Sequence, residues 1–191
     1  MVKIGIILGS TRPNRFGSQP ANWLYGLAQK RGDADYDFID LAEIGLPLLD
    51  EPNPPSQGKY QHEHTKKWSE RVKALDGFAF VTAEYNHGVP AALKNAIDFL
   101  YAEWNFKAAA FVSYGGSAGG ARSVEILRCI MAELKIYDIR EQLLIPGYYT
   151  RMNEAGEYQF TDEEAETANG LLEQLVFWSG VMKDARAKLE S

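Results

Sequence analysis

The stretch Val2-Lys3-Ile4-Gly5-Ile6-Ile7-Leu8-Gly9-Ser10-Thr11-Arg12-Pro13-Asn14-Arg15-Phe16-Gly17 changes character twice, and the two changes predict the fold. Val2 to Leu8 is a short, β-branched apolar run that stops at Gly9, the pattern of a strand buried on both faces of a parallel sheet. From about Gly17 to Lys30, Ala21, Leu24, Leu27 and Ala28 recur at helical spacing, and Gly32 follows the basic pair Lys30-Arg31 as a stop. A buried strand, a polar loop and an amphipathic helix in succession form the opening of an α/β unit.

The alternation continues along the chain. Tyr36 to Leu41 reads as a second strand, and Leu46 to Gly58, with prolines at 47, 52, 54 and 55, as an ordered surface loop. Tyr60 to Leu75 reads as an amphipathic helix and Gly77 to Ala83 as a third strand. Pro90 precedes a helix over Ala91 to Tyr101, with apolar residues at 93, 96, 97 and 100. Ala108 to Tyr114 is a fourth strand that runs into Gly115 to Gly120. The next helix carries Val124, Leu127, Met131 and Leu134 on one stripe, and Gln142 to Ile145 makes a fifth strand. Thr161 with Glu164 three residues on forms a capping box that opens the last helix. Strands alternating with helices predict one doubly wound α/β domain over residues 1–191, with a parallel sheet.

Composition narrows the function classes. A chain of 191 residues with 46% hydrophobic and 24% charged residues fills a core without disulfides or metals. The net charge of −6 argues against general nucleic-acid binding. Cys129 is the single cysteine, so no intrachain disulfide forms and a reducing compartment is expected; inside a helical apolar pattern it reads as a buried, inert thiol. The N-terminus lacks the apolar region of a signal peptide, and no apolar run approaches the roughly 20 residues that span a bilayer. A cytoplasmic protein with no membrane partner is the expectation.

In a doubly wound sheet, ligands bind beyond the carboxyl ends of the strands, where strand order reverses. The loop after strand one, Gly9 to Gly17, lacks the G-x-G-x-x-G spacing of a dinucleotide-binding turn. It offers instead the hydroxyls of Ser10 and Thr11, the guanidinium groups of Arg12 and Arg15, and Asn14, just before a helix N-terminus that favours an anion. Such donors suit a terminal phosphate, and their clustering favours that reading over a capped turn with two solvated arginines. After strand three, Tyr85 and His87 are flat side chains able to lie against a planar ring, with Asn86 for its polar edge; a plain turn accounts for them equally well. After strand four, the glycines around Ser117 permit close backbone approach or merely a flexible turn. Asp40 reads as a solvated or capping carboxylate. His62 and His64 resemble a metal pair, but i and i+2 on a helix do not share a face, so no metal site is expected. Ser113 and Ser117 lack a nucleophile elbow, and no residue stands out as catalytic in its own right.

Taken together, the strand followed by GSTRPNR, then TAEYNHGVPAALKNAIDFL and FVSYGGSAGGAR, resembles the NADPH-dependent FMN reductase family over residues 1 to 145. The resemblance implies a flavodoxin-like fold, with strand order 2-1-3-4-5 and helices on both faces. It implies FMN as cofactor, NADPH or NADH as hydride donor, and a quinone, flavin, azo dye, metal oxyanion or other planar oxidant as acceptor. On it, Ser10, Arg12, Asn14, Arg15, Phe16 and Gly17 would bind the FMN phosphate, and Glu84, Tyr85, Asn86 and His87 would border the isoalloxazine. Ser113, Tyr114, Gly115 and Gly116 would close the other side. The family often has proline before the Glu-Tyr-Asn, where this chain has Ala83. A homodimer or homotetramer is also implied, and Ile126 and Ile130 widen the apolar surface of the helix after Gly120. Two alternatives stay open: a flavodoxin-like one-electron carrier, and a regulatory or scaffolding domain that binds no flavin.

Overall fold

A computed structural model describes residues 1–189. Strand β1 (Lys3–Leu8) leads into α1 (Ser18–Arg31), β2 (Asp35–Asp40) and a one-turn helix α2 (Leu41–Ile44). Helix α3 (Glu63–Lys73), β3 (Gly77–Ala83), α4 (Ala91–Asp98), β4 (Ala108–Gly115), α5 (Ala121–Glu133), β5 (Tyr137–Pro146) and the long α6 (Asp162–Leu189) follow. The five strands form one parallel sheet in the order β2-β1-β3-β4-β5. Strand order and fold class are as the resemblance implies.

The apolar runs of the central strands are explained by burial on both faces: every residue of β3 and of β4 is buried. Alternate side chains feed two cores. Ile4, Ile6, Ala79, Val81, Ala110 and Val112 pack beneath α1 and α6. Ile7, Phe78, Phe80 and Phe111 pack on the opposite face with Trp68, Trp104 and the apolar stripes of α4 and α5. The pleat's period of two is what lets one strand serve both.

Four departures from the sequence reading have physical causes. Strand β5 begins at Tyr137, five residues before the expected start. As the edge strand it alternates buried and solvated positions, so Asp138, Arg140 and Glu141 disguise its first half, and a register shift opposite Ala109 and Phe111 breaks the pattern further. Helix α4 stops at Asp98 instead of Tyr101, and a 3-10 turn over Ala102–Trp104 seats Trp104 in the core. Cys129 is exposed rather than buried: two positions past Leu127, it faces away from the stripe that α5 buries. His62 and His64 do lie side by side, with rings parallel and 5.2 Å apart, because His62 precedes α3 in extended conformation. His64 then meets Asp50 at 3.0 Å. The capping box on α6 forms as expected, with the Glu164 amide donating to Thr161 Oγ1 and the Thr161 amide to Glu164 Oε2.

Candidate functional site

Parallel pairing brings the carboxyl ends of β1, β3 and β4 level, because Leu8 registers with Val81 and Ala83 with Tyr114. The order β2-β1-β3 makes the β1–β3 boundary the place where the connections diverge to opposite faces. The loops after Leu8, Ala83 and Gly115 therefore meet at one edge.

In the first loop, Ser10 is fully buried and shares a 2.7 Å hydrogen bond with the Tyr85 hydroxyl. Arg12 is exposed, and the Tyr85 hydroxyl beside it reinforces its charge. Asn14 takes a left-handed backbone, φ 52°, and turns the chain towards α1. Helix α1 has no side-chain cap and no acid in its first turn, so its dipole favours an anion; residue 20 is proline and the Gln19 and Ala21 amides already donate to the Phe16 and Gly17 carbonyls, which leaves the Ser18 amide of that turn. Gly17 is there for space: a Cβ would strike the Tyr114 hydroxyl and press on Leu8. That hydroxyl is buried beneath Gly17, with Ser10 among its polar neighbours.

The structure separates the sequence-predicted residues of this loop. Ser10, Arg12 and Asn14 lie on the loop that leads into α1, and Gly17 is its N-cap residue. Arg15 turns away and forms an ion pair with Asp40, which also caps α2 through the Ala42 amide at 2.9 Å. Phe16 is only 4% exposed, its ring stacked on Tyr148 at 4.1 Å. Its side chain is core, and only its backbone faces the loop.

The loop after β3 is a tight turn. Tyr85 and Gly88 exchange both backbone hydrogen bonds, and Asn86 and His87 have φ of 50° and 65°, the geometry of a type I′ turn. Asn86 and His87 are exposed at its tip. Glu84 is engaged elsewhere: it accepts from the Arg122 Nε at 2.6 Å and the Arg122 amide at 3.1 Å. Burial pushes the Glu84 carboxyl up, yet these bonds and the Arg122 charge outweigh it and hold the group ionised. The pair fastens the β3 loop to the start of α5.

After β4, Ser113 Oγ donates to the Gly119 carbonyl at 2.9 Å and does not face a ligand. Gly120, φ 88°, leaves no room for a Cβ against Ser113. The carbonyls of Gly115 and Gly116 both accept from the Gly147 amide. Gly116 itself has open space around its α-carbon. Three residues of this edge were missed in the sequence: Asp40 as partner of Arg15, Arg122 as partner of Glu84, and Tyr148 against Phe16. Tyr148 follows a parallel strand directly, so the carboxyl-edge rule applied to the full β5 would have flagged it. A notch of about 300 Å³ adjoins the site, between Thr11, Leu46, Ala92 and Asn95. A larger groove of about 860 Å³ lies along β5, but its mixed lining of Glu125, Arg128, Arg140 and Glu141 converges on no single ligand chemistry.

A family model described as NADPH-dependent FMN reductase matches residues 2–150. An NAD(P)H-dependent FMN reductase of Schizosaccharomyces pombe is 45% identical over 120 residues, 62% of this chain and 60% of that relative, less than two thirds of its length. A 2-hydroxy-1,4-benzoquinone reductase of Burkholderia is 30% identical over 171 residues, covering 88% of this chain and 84% of the relative. Among solved structures, the flavoenzyme NAD(P)H:(acceptor) oxidoreductase of Paracoccus denitrificans superposes with a TM-score of 0.73 at 21% identity, over 95% of this chain and 99% of its own, a likeness of fold.

Proposed function

The chain belongs to the NADPH-dependent FMN reductase family, and from that premise we propose an FMN-dependent NAD(P)H oxidoreductase that reduces quinone-like or other planar acceptors. The observation that carries this reading is that the loop after β1 presents the hydroxyl of Thr11 and the guanidinium of Arg12, both exposed, on the way into the uncapped start of α1 at the carboxyl edge of the sheet. Those donors fit a phosphate group, which presents several oxygens to be satisfied at once. Bound there, FMN would supply the hydride chemistry between NAD(P)H and the acceptor.

The chain's own residues position and enclose. Arg12, like any arginine, is cationic at working pH and so matches the charge of the phosphate. The type I′ turn presents Asn86 and His87 at the edge where the ring of a flavin would lie. Glu84, ionised and held by Arg122, acts as a tie between loops and moves no proton. Its role is to keep the ring-side loop in register with the phosphate-side loop. Subunit pairing through the α4–α5 face and a cytoplasmic setting are parts of the same proposal, supported by exposed Ile126 and by the lone cysteine.

The deciding experiment mixes purified protein with FMN and NADPH without oxygen, then adds benzoquinone. The expected record is loss of flavin colour followed by its return. Binding of FMN without bleaching by NADPH would leave an electron carrier, and no binding at micromolar FMN would leave a domain that uses the fold for something else.

A further inference from the structure

At the amino-terminal edge of the sheet, opposite the candidate site, Asp76 and Lys107 stand just before β3 and β4, whose first residues Gly77 and Ala108 register with each other. Lys107 is 4% exposed, the one buried lysine or arginine among the described residues. Its Nζ donates to the carbonyls of Val72 at 2.8 Å and Lys73 at 3.2 Å, and no carboxylate among the described residues pairs with it. Asp76 is already taken by the Lys3 amide, Lys183 and Arg186, and Glu103 by Tyr60, Ser69 and the Tyr101 amide. An ammonium buried without a counterion is costly, and the charge of Arg186 adds to the cost, so much of this amine is neutral near pH 7. A neutral amine has two protons, which the two carbonyls accept, and a lone pair left over. Lys107 also lines a cavity of about 340 Å³, together with Lys73, Glu103, Asn105 and Arg186.

We propose that Lys107 is a carbamylation site: carbon dioxide entering this cavity adds to Nζ, and the cations around it hold the carbamate that forms. The lone pair of Nζ attacks the carbon, an N–C bond forms, one C=O pair withdraws onto oxygen, and one Nζ proton leaves to water. Nothing is oxidised or reduced. Carbon dioxide is small and uncharged, so it reaches a buried amine without the desolvation that bars an ion. The remaining N–H keeps the shorter bond, to Val72, and gives up the longer one to Lys73. Charge favours the product. Lys73, Lys183 and Arg186 stand here against Asp76 and Glu103, an excess of one cation while Lys107 is neutral. Protonation of Lys107 would enlarge that excess, whereas a carbamate removes it. The site lies at the end of the sheet away from the proposed flavin site and does not rest on that reading.

The test records carbon NMR spectra of the full chain in isotope-labelled bicarbonate at pH 7.5. The expected spectrum holds a carbamate resonance that Lys107→Met removes, since methionine fills similar space and has no amine. Any carbamate on the Met1 amine survives that substitution and serves as an internal reference. Arg186→Gln keeps the lysine and should lower the Lys107 resonance roughly threefold or more, because it withdraws a cation from the product and returns the proton to the amine. A wild type whose every carbamate resonance survives Lys107→Met, or that shows none, overturns the proposal. An undiminished resonance in Arg186→Gln overturns the part given to that arginine. Thermal melting in bicarbonate and in chloride of matched ionic strength gives a second reading. The wild type should gain more in bicarbonate than Lys107→Met, because only the folded chain offers this amine in neutral form, and equal gains would count against the site.

Discussion

Arg12 and Arg15 stand in one loop, and their surroundings separate them. Arg15 is bound to Asp40 at the end of β2, with its Nε buried and without a partner. Arg12 is exposed beside Tyr85 and free to meet an anion. Arg12→Ala should therefore weaken FMN binding by tenfold or more while leaving the melting temperature within a degree or two, since exposed positions contribute little to stability. Arg15→Ala should do the reverse, lowering the melting temperature by exposing Asp40 to a lost partner and changing FMN affinity by a smaller factor. Parallel titrations and melts of the two variants check the split, and equal loss of affinity in both would refute it.

At the scale of elements, the end of the sheet opposite the site is held by a buried lysine. Lys107, the residue before β4, donates from Nζ to the carbonyls of Val72 and Lys73 at 2.8 and 3.2 Å, closing the C-terminus of α3. Burial, and then the charge of Arg186, push its pKa down to about 7. In the unfolded chain it returns to the ordinary lysine value of 10.5. Between those values the unfolded state binds the proton that the folded state has released, so stability rises with pH across that window. The slope from one such group is at most about 1.4 kcal/mol per pH unit. Urea midpoints at pH 7.5 and pH 9 should climb for the wild type and stay level for Lys107→Met; a climb preserved in the variant would assign the effect to other groups.

At the scale of the whole molecule, α4 and α5 leave an apolar groove without cover. Ile126 is 42% exposed on α5, and with Ile130, Cys129, Ile97, Leu100 and Tyr101 it lines a groove of about 550 Å³ between α5 and α4. Both helices begin at the edge that carries the candidate site, so a second subunit on this face would sit close to it. Ile126→Glu is expected to shift the chain to a smaller species in size-exclusion chromatography with light scattering. A monomeric wild type, or a variant of unchanged mass, would refute pairing through this face.

Much of this architecture is written locally. Continuous apolar runs such as Gly77–Ala83 follow from burial on both faces, and the polar loop from Gly9 to Gly17 announces a ligand edge before any contact is known. The sequence alone thus determined the order of strands and helices, and it marked the edge and the loop in which the site is proposed. It did not determine which side chains are available there. Arg15 meets a partner 25 residues away, and Ser10 meets Tyr85 across 75. Cys129 was placed in solvent, and Phe16 in the core, by what packs against each helix and loop. The Tyr114 hydroxyl is closed off because β4 delivers it under Gly17 at the start of α1, a meeting of segments nearly a hundred residues apart. Periodicity along the chain fixes which face a residue occupies; only the packing of distant segments decides whether its polar atoms are already satisfied when a ligand arrives.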